Sequence, residues 1–192
     1  MSDDPYVYPG TDVLRNSRDI RDGAALEELE ANLTYLRSLR LASQPISGDY
    51  DFDHLKAFHR YLFAELYDWA GEARTVPLAR TDLFCLPKHI ESYGAEIFGK
   101  LAEEGRLSGL EGADLIDRLA HFFADVNALH PFRDGNGRAQ RAFFDQLASD
   151  AGCRLCWELV DPQQNTDASI AAMQGDDAPL RELLAGIAKP AT

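Results

Sequence analysis

The residues most able to do chemistry in this chain stand together at 130–141, where the sequence runs His-Pro-Phe-Arg-Asp-Gly-Asn-Gly-Arg-Ala-Gln-Arg. A Gly135-Asn136-Gly137 turn feeding a helix exposes backbone N–H groups, and the helix dipole adds partial positive charge there, so the turn invites an anion. Arg138 and Arg141 lie three apart on that helix and share a face, and guanidinium groups match phosphate oxygens. Two arginines, open N–H groups and glycines that admit a close ligand together suggest a polyphosphate. Asp134 beside such a site is a natural ligand for Mg2+, which takes one or two carboxylates plus phosphate oxygens and keeps several waters. A histidine is the side chain that, unperturbed, titrates near neutral pH, so a residue of the type of His130 could accept a proton from an attacking hydroxyl. Phe132 has no chemistry and is expected to point into the core and hold the loop in shape. Singly, each has a duller reading: a helix-end histidine, a turn aspartate, solvated arginines. Their order within twelve residues is what points to group transfer.

The elements that must position this run are mostly helical. Leu26, Leu29, Leu33, Leu36 and Leu39 recur at steps of three and four and predict a core-facing stripe on a helix over about residues 24–43. Leu55, Phe58, Leu62 and Leu66 mark a second helix, capped by Asp51 or Asp53 and ending near Tyr67. From Trp69 to Leu86 the pattern turns to two short extended pieces around Arg80-Thr81-Asp82, which reads as a small β-hairpin. Pro87 suits the first position of a helix that runs to about Glu104 and stops at Gly105. The strongest stripe, Leu115, Leu119, Phe122, Val126 and Leu129, predicts a central helix that Pro131 ends at His130. Ala139, Ala142, Phe143, Gln146 and Leu147 restart the helical pattern up to Gly152, so the chemical run sits between two helices. Beyond Leu155 a short extended piece and small helices over 167–188 are expected.

Composition narrows the function. With 32 acidic against 19 basic residues and a net charge of −13, the chain repels phosphate backbones, so nucleic acid is a poor partner. No apolar run approaches the roughly 20 residues needed to cross a bilayer, and the start lacks the parts of a signal peptide, so a cytoplasmic protein is expected. Cys85, Cys153 and Cys156 are too few and odd in number for a secreted disulfide framework. The Cys153-x-x-Cys156 pair lacks the flanking context of a redox or zinc site and reads as small apolar residues in a strand-like stretch.

The run at 130–141 resembles the signature of the Fic family, H-P-F-x-D/E-G-N-G-R-x-x-R, at every specified position. Tyr8-Pro9-Gly10-Thr11, the stretch from His59 to Val76 and the leucine-rich approach to His130 are similar to the corresponding parts of bacterial Fic toxins. The resemblance implies a mostly α, single Fic-type domain over 1–192: an arm over 1–22, a core over about 50–160, C-terminal helices over 161–192 and a small hairpin flap. It implies a protein adenylyltransferase in which His130 takes the proton of a Tyr, Ser or Thr hydroxyl on a target protein, the oxygen attacks the α-phosphate of ATP, and pyrophosphate leaves. Asp134 is then expected to hold magnesium, Asn136 and the N–H groups of Gly135 to Arg138 to cradle phosphates, and Arg138 and Arg141 to meet the β- and γ-phosphates.

By the same resemblance the hairpin over 74–86 is a flap that receives the target segment as an added strand, with Thr75, Val76, Arg80 and Phe84 as docking residues. The family's inhibitory motif, S/T-x-x-x-E-G/N, is missing; Ser108-Gly109-Leu110-Glu111-Gly112 is one residue short of it. That absence resembles the class in which a separate small antitoxin supplies the glutamate to Arg141. Toxin-type relatives make DNA gyrase and topoisomerase IV subunits the first candidate targets. Two rivals remain: transfer of another phosphate-containing group such as UMP or phosphocholine, and a nucleotide-sensing binding protein without turnover.

Overall fold

The computed structural model describes residues 4–41, 43–79 and 83–191. Helices dominate: α1 (Gly23–Leu41), α2 (Phe52–Phe63), α3 (Ile90–Glu103), α4 (Gly112–Leu129), α5 (Asn136–Asp150), α6 (Pro162–Met173) and α7 (Ala178–Ile187). Two short strands, β1 (Cys153–Leu155) and β2 (Ala188–Pro190), pair antiparallel with Arg154 opposite Lys189. They fasten the end of the described chain to the residues that follow α5. The strand β2 has three residues, too few for an alternation to show in sequence, and it was not expected. Among the described residues no helix is long and apolar enough to cross a membrane.

The central helix forms as its periodicity predicts. Leu115, Leu119, Phe122, Val126 and Leu129 are all buried, and α4 packs against α3, α5, α6 and α7. Helix α2 starts where Asp51 accepts the N–H of His54 at 2.8 Å, a regular N-cap. It lies on α5 through an aromatic cluster in which Phe58 and Phe98 both meet Phe143 edge to face, at 5.7 and 5.6 Å between centroids. Pro87 opens a single 3-10 turn (Pro87–His89) ahead of α3. Cys153 and Cys156 are both buried in the main core cluster.

Two expectations need correction. Helix α1 buries only the first part of its leucine stripe: Leu26 is covered and Leu29 and Leu33 pack against the core, but Leu36 and Leu39 are 55% and 56% exposed. The residues α1 buries fully are Leu26, Glu30 and Thr34, with the Glu30 carboxylate turned to Arg138 and Tyr67. The hairpin over 74–86 is also slighter than expected. Its described residues form one antiparallel bridge, Ala79 to Leu83, and one further bond from Phe84 N–H to Leu78 C=O. The turn itself, with Arg80, lies outside the described residues.

Replacing Leu36 or Leu39 by serine should therefore change stability by no more than about 0.5 kcal/mol, whereas Phe58→Ala should cost about 3–5 kcal/mol. Urea midpoints of the three variants against wild type check this; a large loss at Leu36 would show that the stripe is buried after all.

Candidate active site

The loop from His130 to Gly135 joins two helix ends that face one cavity. His130 closes α4 with its N–H bonded to Val126 C=O at 3.1 Å, and its backbone is left-handed at φ 44°, ψ 60°. Gly135 opens α5, also left-handed at φ 75°. Only glycine fits there: a Cβ would come within 2.4 Å of the Phe63 ring, besides the strain of positive φ. Among the described residues the N–H groups of Asn136 and Gly137 have no carbonyl partner, as expected at a helix start.

A cavity of about 470 Å³ lies over this turn, and His130, Asp134, Gly135, Asn136, Gly137, Arg138, Arg141 and Phe84 all line it. The structure brings these sequence-expected residues to one cavity. Its far wall, from α6 and the turn before it, was not anticipated. That wall includes Trp157 and Asn165, whose indole N–H and amide carbonyl are buried without a hydrogen-bond partner. Thr75 and Val76 are not part of the lining. The Thr75 N–H is taken by the Tyr6 hydroxyl at 3.1 Å, and Val76 offers its carbonyl to Arg74. Phe84 is buried, with its ring stacked on the His130 imidazole at 3.7 Å and 11°.

The side chains of the run divide into those that hold the loop and those that face the cavity. Asn136, expected to cradle phosphate, turns its carboxamide inward: Phe132 N–H donates to Oδ1 and Nδ2 donates to Phe132 C=O, both at 2.8 Å. Phe132 is buried as expected, stacked on His59 at 3.9 Å. Asp134 keeps one carboxylate oxygen on the Gly135 N–H at 2.7 Å. Among the described residues no three His, Cys, Asp or Glu gather to cage a metal. A cation at Asp134 must therefore take most of its ligands from a bound polyphosphate and water, the habit of magnesium. The residue set fits that ion.

The two arginines differ. Arg138 pairs with Glu30 of α1 at 2.6 Å and lies over the Phe63 ring, and Tyr67 donates its hydroxyl to the same buried carboxylate. Arg141 has no ion pair or hydrogen bond among the described residues, and burial together with Arg138 pulls its pKa down. Guanidinium remains charged in any protein, so Arg141 is a poorly solvated cation open to an anion. A second cavity of about 320 Å³, lined by Ser38, Leu41 and Pro45, meets Arg138 and Arg141 from the α1 side.

Three residues outside the run hold it and were not singled out from sequence. His59 is buried between Phe63 and Phe132; it accepts the Gly71 N–H on Nδ1 at 2.8 Å, so Nε2–H must donate to Asp134 C=O at 2.9 Å. Burial pushes its pKa down to about 3. Arg74 and Glu30 are the others. Their partners are backbone carbonyls or distant residues, for which single-sequence motifs carry no signal.

The Fic/DOC family pattern matches residues 49–148, just over half of the chain, around this loop. The chain belongs to the Fic/DOC family. It is 42% identical over 176 residues to "Protein adenylyltransferase VbhT" of Bartonella schoenbuchensis, covering 91% of this chain and 37% of that relative's length. It is 38% identical over 189 residues to "Probable protein adenylyltransferase Fic" of Escherichia coli K12, covering 98% and 94% of the two chains. The crystal structure of BepC from Bartonella tribocorum with bound AMPPNP superposes with a TM-score of 0.90 at 27% identity, covering 97% of both chains. A Fic domain from Bartonella quintana with bound ADP has the same TM-score and identity, covering 97% of this chain and 95% of that one.

Because the fold keeps His59 neutral, its contribution to stability is fully present above the unfolded value of about 6.5 and is lost as pH falls below it towards 3. Nitrogen-15 NMR between pH 5 and 8 should show one imidazole fixed as the neutral Nε2–H tautomer, and His59→Phe should remove that signal at a cost of about 2–4 kcal/mol from two orphaned backbone groups. A His59 that titrates in this range would contradict the geometry.

Proposed function

We infer that this Fic-family chain is an ATP-dependent protein adenylyltransferase: a target hydroxyl attacks the α-phosphorus of ATP, a new O–P bond forms, the bond to the bridging oxygen breaks, and pyrophosphate leaves. The observation that carries this is one cavity with the His130 imidazole on its rim, the open start of α5 on its floor and Arg141 beside them. Relatives named adenylyltransferases at 38–42% identity and neighbours holding AMPPNP and ADP support it.

Each residue then has a physical task. The His130 imidazole takes the hydroxyl proton. The N–H groups and dipole at the start of α5 offset phosphate charge, and they need no reorganisation as the reaction proceeds. Arg141 meets the terminal phosphate. Asp134 holds the magnesium ion, which supplies charge neutralisation of the polyphosphate. Trp157 and Asn165 face the nucleoside: the buried carbonyl of Asn165 needs a donor, and an exocyclic amine of the kind adenine carries provides one. That argues for ATP ahead of UTP or phosphocholine donors. Thr75 and Val76, with Arg80 outside the described residues, belong to the flap along which the target segment lies, and Phe84 sets the His130 ring. Tyr, Ser and Thr hydroxyls all remain in scope, with gyrase and topoisomerase IV subunits the first targets to assay.

Regulation follows from Arg141. The chain lacks the inhibitory S/T-x-x-x-E-G/N string, and no carboxylate of the described residues pairs with Arg141. A small antitoxin carrying that glutamate would reach Arg141 through the second cavity, lined on the α1 side by Ser38 and Leu41. The three free cysteines suit a reducing cytoplasm.

With labelled ATP, magnesium and a bacterial lysate, wild type should label one or a few proteins. His130→Ala should abolish labelling while ATP binding survives; Arg141→Ala should weaken ATP binding by about 10-fold or more, the scale of one charged hydrogen-bonding partner. Labelling by His130→Ala at the wild-type rate, or modified targets whose mass gain is not that of AMP, refutes the assignment.

A further inference from the structure

One fully buried guanidinium has no role in the scheme above. Arg74 is 2% exposed, and no carboxylate pairs with it among the described residues. A buried guanidinium survives only if its donors are met. Here three carbonyls meet them: Nε donates to His130 C=O at 2.8 Å, Nη1 to Val76 C=O at 2.8 Å and Nη2 to Cys85 C=O at 2.5 Å. The Arg74 backbone N–H adds a bond to Pro131 C=O at 2.8 Å. These acceptors come from three places: the terminus of α4 and its loop, the outgoing limb of the flap, and the returning limb. The negative end of the α4 dipole also favours a cation at that position.

Resting on the adenylyltransferase reading, we propose that Arg74 is a positioning residue that sets His130 and the flap in one fixed relation, so that the base meets a hydroxyl presented by the flap. Arg74 holds the carbonyl of the left-handed His130 and that of the next residue, which fixes how the base leaves α4. Through Cys85 it holds the returning limb, whose adjacent Phe84 stacks on the imidazole. Cys85 N–H fastens the same limb to Ala128 C=O at 3.0 Å. One planar fork thus reaches both the backbone of the base and the strand that carries its ring partner. Lysine cannot substitute, since a point charge on a flexible stem cannot hold three carbonyls in a plane. Arg74 does not line the nucleotide cavity, so positioning and ATP binding are separable.

The test uses the full chain with Arg74→Lys and Arg74→Gln, the lysine variant keeping the charge in case the neutral one fails to fold. Three quantities are read: ATP affinity, AMP transfer rate, and the NMR shift of the His130 ring Cε1–H, which senses the Phe84 ring current. Arg74→Lys should bind ATP as wild type does, lose about 100-fold or more in transfer rate with little change in KM for ATP, and show the His130 resonance displaced. Unaltered transfer in Arg74→Lys overturns the proposal. Loss of ATP binding and transfer together in both variants also overturns it, because Arg74 would then serve the fold as a whole. A wild-type chain that transfers no AMP counts against the adenylyltransferase reading instead; the NMR arm still decides for Arg74, and an undisplaced His130 resonance in the lysine variant rejects its positioning role.

Discussion

The structure depends on holding an irregular stretch of backbone between two helix ends. From His130 to Gly135 the chain makes no helix or sheet, and it is left-handed at both ends. Its polar groups must still be met, because in a low-dielectric interior an unpaired carbonyl or N–H costs more than a made bond returns. Asn136 closes the loop on Phe132 from within, His59 holds the Asp134 carbonyl from α2, and Arg74 holds the carbonyls of His130 and Pro131 from the loop after α2. Helix α2 and residues 69–76 are therefore as much a part of the site as the run that faces the cavity. The packing of Phe58 and Phe98 on Phe143 matters to function for the same reason: it holds α2 against α5 and sets where these clamps stand.

Charge is arranged with similar economy. Two arginines three apart on one helix raise each other's cost, and Arg138 does depress the charged form of Arg141. Glu30 relieves one of the pair and leaves the other open. The chain as a whole carries −13, so its distant field opposes a polyphosphate. That field is screened beyond about 8–10 Å at physiological salt, while the open helix start and Arg141 act at contact distance. Selectivity for an anion at this one place is thus a short-range property, and α1 takes part in it through a single buried carboxylate.

How much of this was legible in the sequence depended on where each residue's partners lie. Helix α4 was readable because it is covered by helices along its length, so its apolar period and its burial coincide. Helix α1 misled because its buried face carries Glu30 and Thr34, and no apolar period can report a polar contact. The cavity-facing residues were found because they follow one another within a single turn and a helix start. Asn136 sat in that same run yet was assigned to the ligand, since nothing in the sequence says that its amide turns back on Phe132. His59 stands 75 residues before Asp134 and Arg74 stands 56 before His130, and each meets a backbone carbonyl, which leaves no mark on side-chain pattern.

The two histidines beside the loop show how the same side chain is assigned opposite tasks. His59 is sealed by Phe63, Phe132 and Trp69, and both ring nitrogens are committed to backbone partners, one accepting and one donating. Protonation would break the bond from Gly71 and place a charge among aromatic rings, so this imidazole is held neutral and works as a spacer of fixed length. His130 is half-buried at the rim of the cavity, its backbone pinned and its ring laid against Phe84. Its backbone is constrained as tightly, but the residue lines the cavity. A side chain at a ligand-facing position needs a backbone that cannot drift, and the clamps supply it from the buried side of the loop while the His130 ring lines the cavity.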